Sequence, residues 1–340
     1  MMTEPWRSAV GKLNEITHTD PFRFTDLLQM FQQVFLWHGT DDVEAQFGVG
    51  LPATTPPLGS VTDRVARPWF FTRALLFLGL AFAVVAVTYR ATGNLNLVPA
   101  LVFTGSFAAP VAVAIFFFEC NLPANVSLYA VLRMFTWGGI LGLVLTLILS
   151  TMEGFLPTRW LGASVAALTE EPAKLAAVII LASRLKYPWT LNGLCLGAAV
   201  GAGFAAFESA GYALRGFLDV APTTRDMSQA NAALQYSLVL RGLLSPFGHV
   251  VWTAITAGAL WRVVHDGPLR SSSFADWRFA SPFIAAVLMH FTWNSGLLDS
   301  LPFFAKYMVL GVIAWTIAFG LLFTGFREVR EAAASTQRDS

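Results

Sequence analysis

From residue 69 onward the chain alternates between long apolar runs and short polar breaks. A helix needs about 20 apolar residues to cross a bilayer. Runs near that length fall at 69–89, 97–118, 128–150, 160–182, 189–213, 236–263, 279–300 and 303–325. The pattern predicts an all-α fold, a polytopic transmembrane bundle of about eight helices behind a small N-terminal cytosolic segment. The fourth run is interrupted by Glu170-Glu171-Pro172-Ala173-Lys174, and the last two share a short turn at Pro302.

Residues 1–68 are mixed polar and contain no early apolar stretch of the signal-peptide kind. Within them, Asp26 to Trp37 carries apolar residues at helical spacing, with Thr25 as N-cap. This helix is read as resting on the membrane or on the rest of the protein, with regulation or substrate docking as the alternative role. Leu51 to Pro57 is rich in Pro and Thr and reads as a linker. Residues 69–326 form the membrane domain, and 327–340 a charged, frayed tail. Gly193, Gly197 and Gly201 recur every four residues, which lets a neighbouring helix approach closely and places their helix inside the bundle.

Basic residues orient the bundle. With eight spans, Arg64, Arg67, Arg73, Arg184, Lys186, Arg262, Arg270, Arg278, Arg327, Arg330 and Arg338 share one side. Arg90, Arg159, Arg215, Arg225 and Lys306 share the other. The excess on the first side predicts cytoplasmic N- and C-termini in a multi-pass protein of the cell membrane. Composition agrees: 55% of the 340 residues are hydrophobic and only 13% charged, against about 25% charged in soluble domains. A net charge of +1 leaves no nucleic-acid footprint, and two cysteines, Cys120 and Cys195, make neither a disulfide framework nor zinc-finger spacing. Oligomeric state leaves no pattern to read.

Against this apolar background, Glu170, Glu171, Lys174, Glu208, His249 and His290 stand out. Each ionisable side chain deep in a bilayer costs about 2.5–3.5 kcal/mol on insertion scales, so such residues face inward and mark function. Counted along their runs, Glu170, Glu171, His249 and His290 fall near the midplane, with Glu208 nearer the extracytoplasmic end. Lys174 lies i+4 from Glu170 and i+3 from Glu171, within reach of either. Two adjacent carboxylates in low dielectric do not both ionise without a cation. One therefore pairs with Lys174, and the other is left to act as a general base. Pro172 removes an N–H and is expected to kink the helix beside them. His249-x-x-Trp252-Thr253 and His290-x-x-Trp293-Asn294 repeat one pattern, with a polar residue i+4 from each His. Asn294 is placed to donate to an oxyanion or to hold one His290 tautomer.

In order on successive helices, Glu170-Glu171-x-x-Lys174, Phe207-Glu208-x-x-x-Tyr212, His249-x-x-Trp252 and His290-x-x-Trp293-Asn294 resemble the PrsW intramembrane proteases, and Phe116 to Asn121 is similar to another stretch of that family. The resemblance covers roughly residues 68–325. It implies kinship with the CAAX-prenyl endopeptidase and bacteriocin-immunity group, and peptide-bond hydrolysis at the membrane. It also implies a membrane-associated protein substrate, an anti-sigma-factor-like regulator being the family precedent. That wider group carries Phe-x-x-x-His on the helix after its Glu-Glu motif, whereas Phe204-Ala205-Ala206-Phe207-Glu208 stands here. The two histidines and Glu208 make a ligand set suited to zinc.

The expected roles are water activation by Glu170 or Glu171, with His249 and His290 either polarising the scissile carbonyl or holding zinc. Asn294 assists at the oxyanion, and Lys174, Tyr212, Trp252 and Trp293 support the site. Zinc and metal-free versions both stand at this stage. The rival readings are a proton- or ion-coupled transporter, against which no internal repeat is visible, and a non-catalytic immunity or scaffold protein on the same fold.

Overall fold

A computed structural model describes residues 4–153, 159–182, 187–224, 227–265 and 267–338; Arg184, Lys186 and Arg225, used above for orientation, lie outside them. Three short helices open the chain: α1 (Glu4–Ile16), α2 (Phe24–Phe31) and α3 (Thr40–Phe47). The bundle follows as α4 (Phe70–Thr92), α5 (Val98–Glu119), α6 (Leu128–Arg133) and α7 (Gly139–Glu153), the last two joined through a π-helical turn at Met134–Gly138. Next come α8 (Ala166–Leu181), α9 (Thr190–Thr224), α10 (Met227–Leu244) and α11 (His249–Val263). The short α12 (Ser271–Ala275), α13 (Trp277–Asn294) and α14 (Phe303–Arg338) complete the order.

α9 is the axis of the bundle and packs against α5, α7, α10 and α11. Its glycines explain how. A Cβ on Gly201 would lie 2.5 Å from the His249 carbonyl oxygen, and one on Gly203 would lie 1.9 Å from that of Phe135. Backbone thus meets backbone on two sides of α9, which only residues without a side chain permit. The π turn lies where Gly203 seats against Phe135.

Six helical stretches among the described residues are long and apolar enough to cross a membrane: Phe70–Thr92, Leu95–Glu119, Leu128–Thr151, Thr190–Val220, Gln229–Val263 and Phe304–Arg338. The expected fourth and seventh spans are not among them. α8 has only 16 residues, because Arg159–Val165 is a tighter turn broken at Gly162 (φ 55°). α13 has 18 and is diluted by Arg278, His290, Thr292 and Asn294. Both carry candidate site residues, Glu170, Glu171 and Lys174 on α8 and His290 and Asn294 on α13, and these polar side chains lower their apolarity.

The expected sixth span is also divided. Ser245–Phe247 forms a 3-10 turn and Gly248 (φ −115°, ψ −134°) starts a new helix, so His249 is the first residue of α11 rather than a mid-helix residue. α8 runs through Pro172 without a break in the helix. Thr25 lies inside α2, whose N-cap is Arg23; the Asp26 carboxylate accepts the Arg23 N–H at 2.8 Å. α14 continues through the tail expected to fray, as its Glu-, Ala- and Arg-rich sequence favours.

The N-terminal segment packs on the end of the bundle that carries the C-terminus. Asp20 N–H donates to Thr324 Oγ1 at 3.1 Å, and Phe31 stacks on Phe116 and meets Phe319 edge-on. The α4 N-terminus is fixed by Glu119 of α5, whose carboxylate accepts the N–H groups of Trp69, Phe70 and Phe71 at 2.8–2.9 Å. A carboxylate there satisfies three otherwise unpaired donors and complements the helix dipole.

Candidate active site

Consecutive residues on a helix point about 100° apart, so Glu170 and Glu171 face different surroundings. Glu171 turns into the bundle. Its Oε1 accepts from Lys174 Nζ at 2.6 Å and from His290 Nδ1 at 2.8 Å, and both Glu171 and Lys174 are 0% exposed. Of the two carboxylates Lys174 could reach, it takes this one. Its ammonium also lies 2.9 Å from His249 Nδ1 and 4.8 Å from the centroid of the Phe204 ring. Glu170 turns the other way, into a cavity of about 360 Å3 walled by α8, α9, α10, α11, α13 and the start of α14.

Each histidine is oriented through one ring nitrogen. His290 Nδ1 donates to Glu171, leaving Nε2 to face the cavity and accept from Asn294 Nδ2 at 3.1 Å. His249 Nε2 lies 3.1 Å from Glu208 Oε2, leaving Nδ1 toward Lys174 and Glu170. Glu208 is in turn held by Arg241 of α10, with Nη2 2.5 Å from the same oxygen, while Arg241 Nε donates to Ser209 Oγ at 2.9 Å. Handing one imidazole N–H to a carboxylate fixes the tautomer and raises the basicity of the other nitrogen.

The two remaining nitrogens converge. Glu170 Oε2, buried and without a hydrogen-bond partner, is 3.8 Å from His249 Nδ1 and 3.8 Å from His290 Nε2. The Glu170, His249 and His290 ligand atoms all lie within 4.8 Å of one another. A tetrahedral zinc site sets its N and O ligands roughly 3.3 Å apart, from bonds of about 2.0–2.1 Å. One carboxylate and two imidazoles, each backed by a further carboxylate, fit zinc in chemistry and nearly in spacing. Lys174 and Asn294 now donate to the two nitrogens and would have to swing aside.

Of the residues singled out in the sequence, Glu170, Glu208, Tyr212, His249, Trp252, His290, Trp293 and Asn294 line the cavity, while Glu171 and Lys174 lie behind it. Glu208 stands outside the three-ligand group and binds His249 and Arg241 instead. The repeated His-x-x-Trp pattern packs on itself: Trp252 stacks on His290 at 4.7 Å and meets Trp293 edge-on at 5.5 Å. Its polar members diverge, because Thr253 is buried against Gly201 whereas Asn294 faces the cavity. Arg241 was missed. Its signal was a lone arginine in an apolar run, and its guanidinium carbon lies 4.5 Å from the Tyr212 ring centroid.

A model of the PrsW family of intramembrane metalloproteases matches residues 127–322. No curated protein and no solved structure matches the chain. The matched stretch is more than half of the chain and runs from the start of α6 into α14, so that it encloses all the helices whose side chains meet at Glu170. This chain therefore belongs to the PrsW family of intramembrane metalloproteases.

Proposed function

We propose that the protease acts at Glu170, His249 and His290 and cuts a membrane-anchored protein, an anti-sigma-factor-like single-pass regulator being the substrate class that the family resemblance suggests. The observation that carries this is the buried Glu170 Oε2, equidistant at 3.8 Å from two imidazole nitrogens whose ring partners are both carboxylates. Those three residues would hold zinc. A bound ion of that kind supplies Lewis-acid polarisation of water and of the scissile carbonyl.

The chain's own residues do the rest. Glu170, on the cavity wall, faces the two imidazoles through Oε2, and its other oxygen, Oε1, accepts the proton of the attacking water; Glu171, sealed behind it, is a positioning residue that orients His290. The carbonyl oxygen gains negative charge as water adds, and Asn294 Nδ2 donates to it. Collapse breaks the C–N bond, and the leaving amine takes the proton from Glu170, giving a new carboxyl and a new amine. Leu240, Leu244, Tyr212, Trp252 and Trp293 give the cavity apolar walls suited to an extended segment drawn from the bilayer.

In this reading α8 and α13 also cross the membrane, giving eight spans and cytoplasmic termini in the cell membrane, supported by the excess of basic residues on one side. The cavity then opens beside the end of α13 and the start of α14, toward the extracytoplasmic face. The proposed kinship with the CAAX-prenyl endopeptidase group rests on the Glu-Glu motif, and Glu208 stands on the next helix where that group carries His. Co-expression of tagged single-pass proteins with wild type and with Glu170→Gln tests the function. A fragment made by wild type and absent with Glu170→Gln is expected; fragments identical in both would sink the assignment. Reporter fusions at residues 270 and 335 should read cytoplasmic, and an extracytoplasmic signal at 270 would overturn the topology.

A further inference from the structure

A second cavity, of about 500 Å3, lies at the end of the bundle that carries the C-terminus, between the N-terminal segment and α14. Arg23, Arg64, Arg327 and Arg330 line it, with Asp20 and Asp26 as the carboxylates inside. Both carboxylates are engaged. Asp20 pairs with Arg327 at 3.0 Å, and Asp26 Oδ2 accepts the Arg23 backbone N–H at 2.8 Å. Glu331 approaches Arg327 from outside at 3.7 Å, and Arg330 Nε donates to the Phe326 carbonyl at 3.3 Å. The Arg23 and Arg64 guanidiniums form no ion pair among the described residues. The cavity therefore keeps a positive excess, with guanidinium forks open to an anion.

Its depth is readable too. Between Lys306 and Arg327 the chain has no charged residue over 20 positions. At 1.5 Å per residue that is roughly 30 Å, the thickness of a hydrocarbon core. Arg327 thus stands where α14 leaves the acyl region, and Phe323 and Val65 give the cavity an apolar wall next to the arginines. Planar guanidiniums match the oxygens of phosphate two at a time.

We propose that this cavity binds a phosphate-bearing anion, and that its position at the acyl boundary suits the headgroup of an anionic phospholipid. The N-terminal segment supplies Arg23 and Arg64, so it completes a lipid-dependent clamp on the bundle. The site is independent of the proteolytic reading.

The test uses full-length protein in neutral detergent, with lipid binding followed by native mass spectrometry. Dioleoylphosphatidylglycerol should bind saturably and dioleoylphosphatidylcholine weakly. Removing one arginine near a membrane surface weakens anionic-lipid binding about fivefold, so R23Q/R64Q should lose roughly 25-fold. R215Q, at the opposite end, should leave binding unchanged. Should the double variant fail to fold, Arg64→Gln alone carries the same comparison at about fivefold. Inorganic phosphate forms the second arm. Displacement of phosphatidylglycerol by phosphate supports the shared chemistry with lipid as one ligand. Arg64-dependent phosphate binding without any phosphatidylglycerol preference supports the same cavity with free phosphate as its source. Equal binding of the two lipids with no Arg64-dependent phosphate binding, or phosphatidylglycerol binding untouched by R64Q, overturns the proposal.

Discussion

Replacing Lys174 by Met removes a cation whose two partners are both site residues. Lys174 Nζ sits 2.6 Å from Glu171 Oε1 with neither side chain exposed, and 2.9 Å from His249 Nδ1. Met fills similar space and keeps contact with Phe204, so the loss is electrostatic. Glu171 would keep His290 as its one donor, its Oε2 already lacking a partner. Breaking a buried pair on one side costs about 3–5 kcal/mol, because a buried charge is stranded. Removing both charges is far milder. Gln at position 171 still accepts from His290 Nδ1, so K174M/E171Q should be destabilised by less than about 2 kcal/mol relative to wild type, near the lost His249 hydrogen bond alone. The negative coupling is then at least about 1–2 kcal/mol, which a double-mutant cycle resolves. Reversible unfolding in mixed detergent and SDS micelles, followed by tryptophan fluorescence, supplies the four free energies. A K174M cost below about 1 kcal/mol, or a double variant no more stable than K174M, would refute the idea that Lys174 exists to keep Glu171 ionised.

Three further outcomes follow from the same geometry. Gly201→Ala should cost about 1–3 kcal/mol by overpacking against the His249 carbonyl, whereas Gly211→Ala on the same helix, where a Cβ meets nothing within 4 Å, should be neutral or slightly stabilising; equal thermal shifts would contradict the close-packing account. Chelator should abolish cleavage and added zinc restore it, and His249→Ala and His290→Ala should each bind no zinc by elemental analysis of the purified protein; full activity in chelator would remove the metal from the account. Arg241→Gln frees Glu208 from its cation and should weaken zinc binding about 10–100-fold, as loss of an outer-shell partner does; unchanged zinc affinity would make Arg241 a packing residue only.

Much of the site was legible because charge in an apolar run is costly. Glu170, Glu171, Lys174, Glu208, His249 and His290 could be picked out by that cost alone, and Asn294 by its i+4 spacing from His290. Which glutamate faces the cavity was not legible. Adjacent helical positions differ only in direction, and direction depends on neighbours that are distant in sequence: Glu171 meets His290, 119 residues away. Arg241 carried the same signal inside the apolar run 236–263, but its partner was not legible. The break at Ser245–Phe247 and Gly248 aims α10 and α11 separately, so that Arg241 reaches Glu208 while His249 heads its own helix. The glycine row on α9 was readable as a close-approach surface, and its partner proved to be α11, the helix that carries His249. The span count was the least legible part, because the two helices that hold the most site chemistry are also the shortest and most polar of those expected to cross.

The most direct test of the central claim is the rate at which purified protein, reconstituted in liposomes with zinc, releases a fragment from a membrane-anchored peptide, wild type against Glu170→Gln. Gln keeps the volume of Glu170 but neither accepts the proton nor carries the negative charge at the point where His249 Nδ1 and His290 Nε2 converge. The account predicts a loss of at least about 100-fold, the usual contribution of a general base, with the variant still folded. Cleavage by folded Glu170→Gln at the wild-type rate would contradict it.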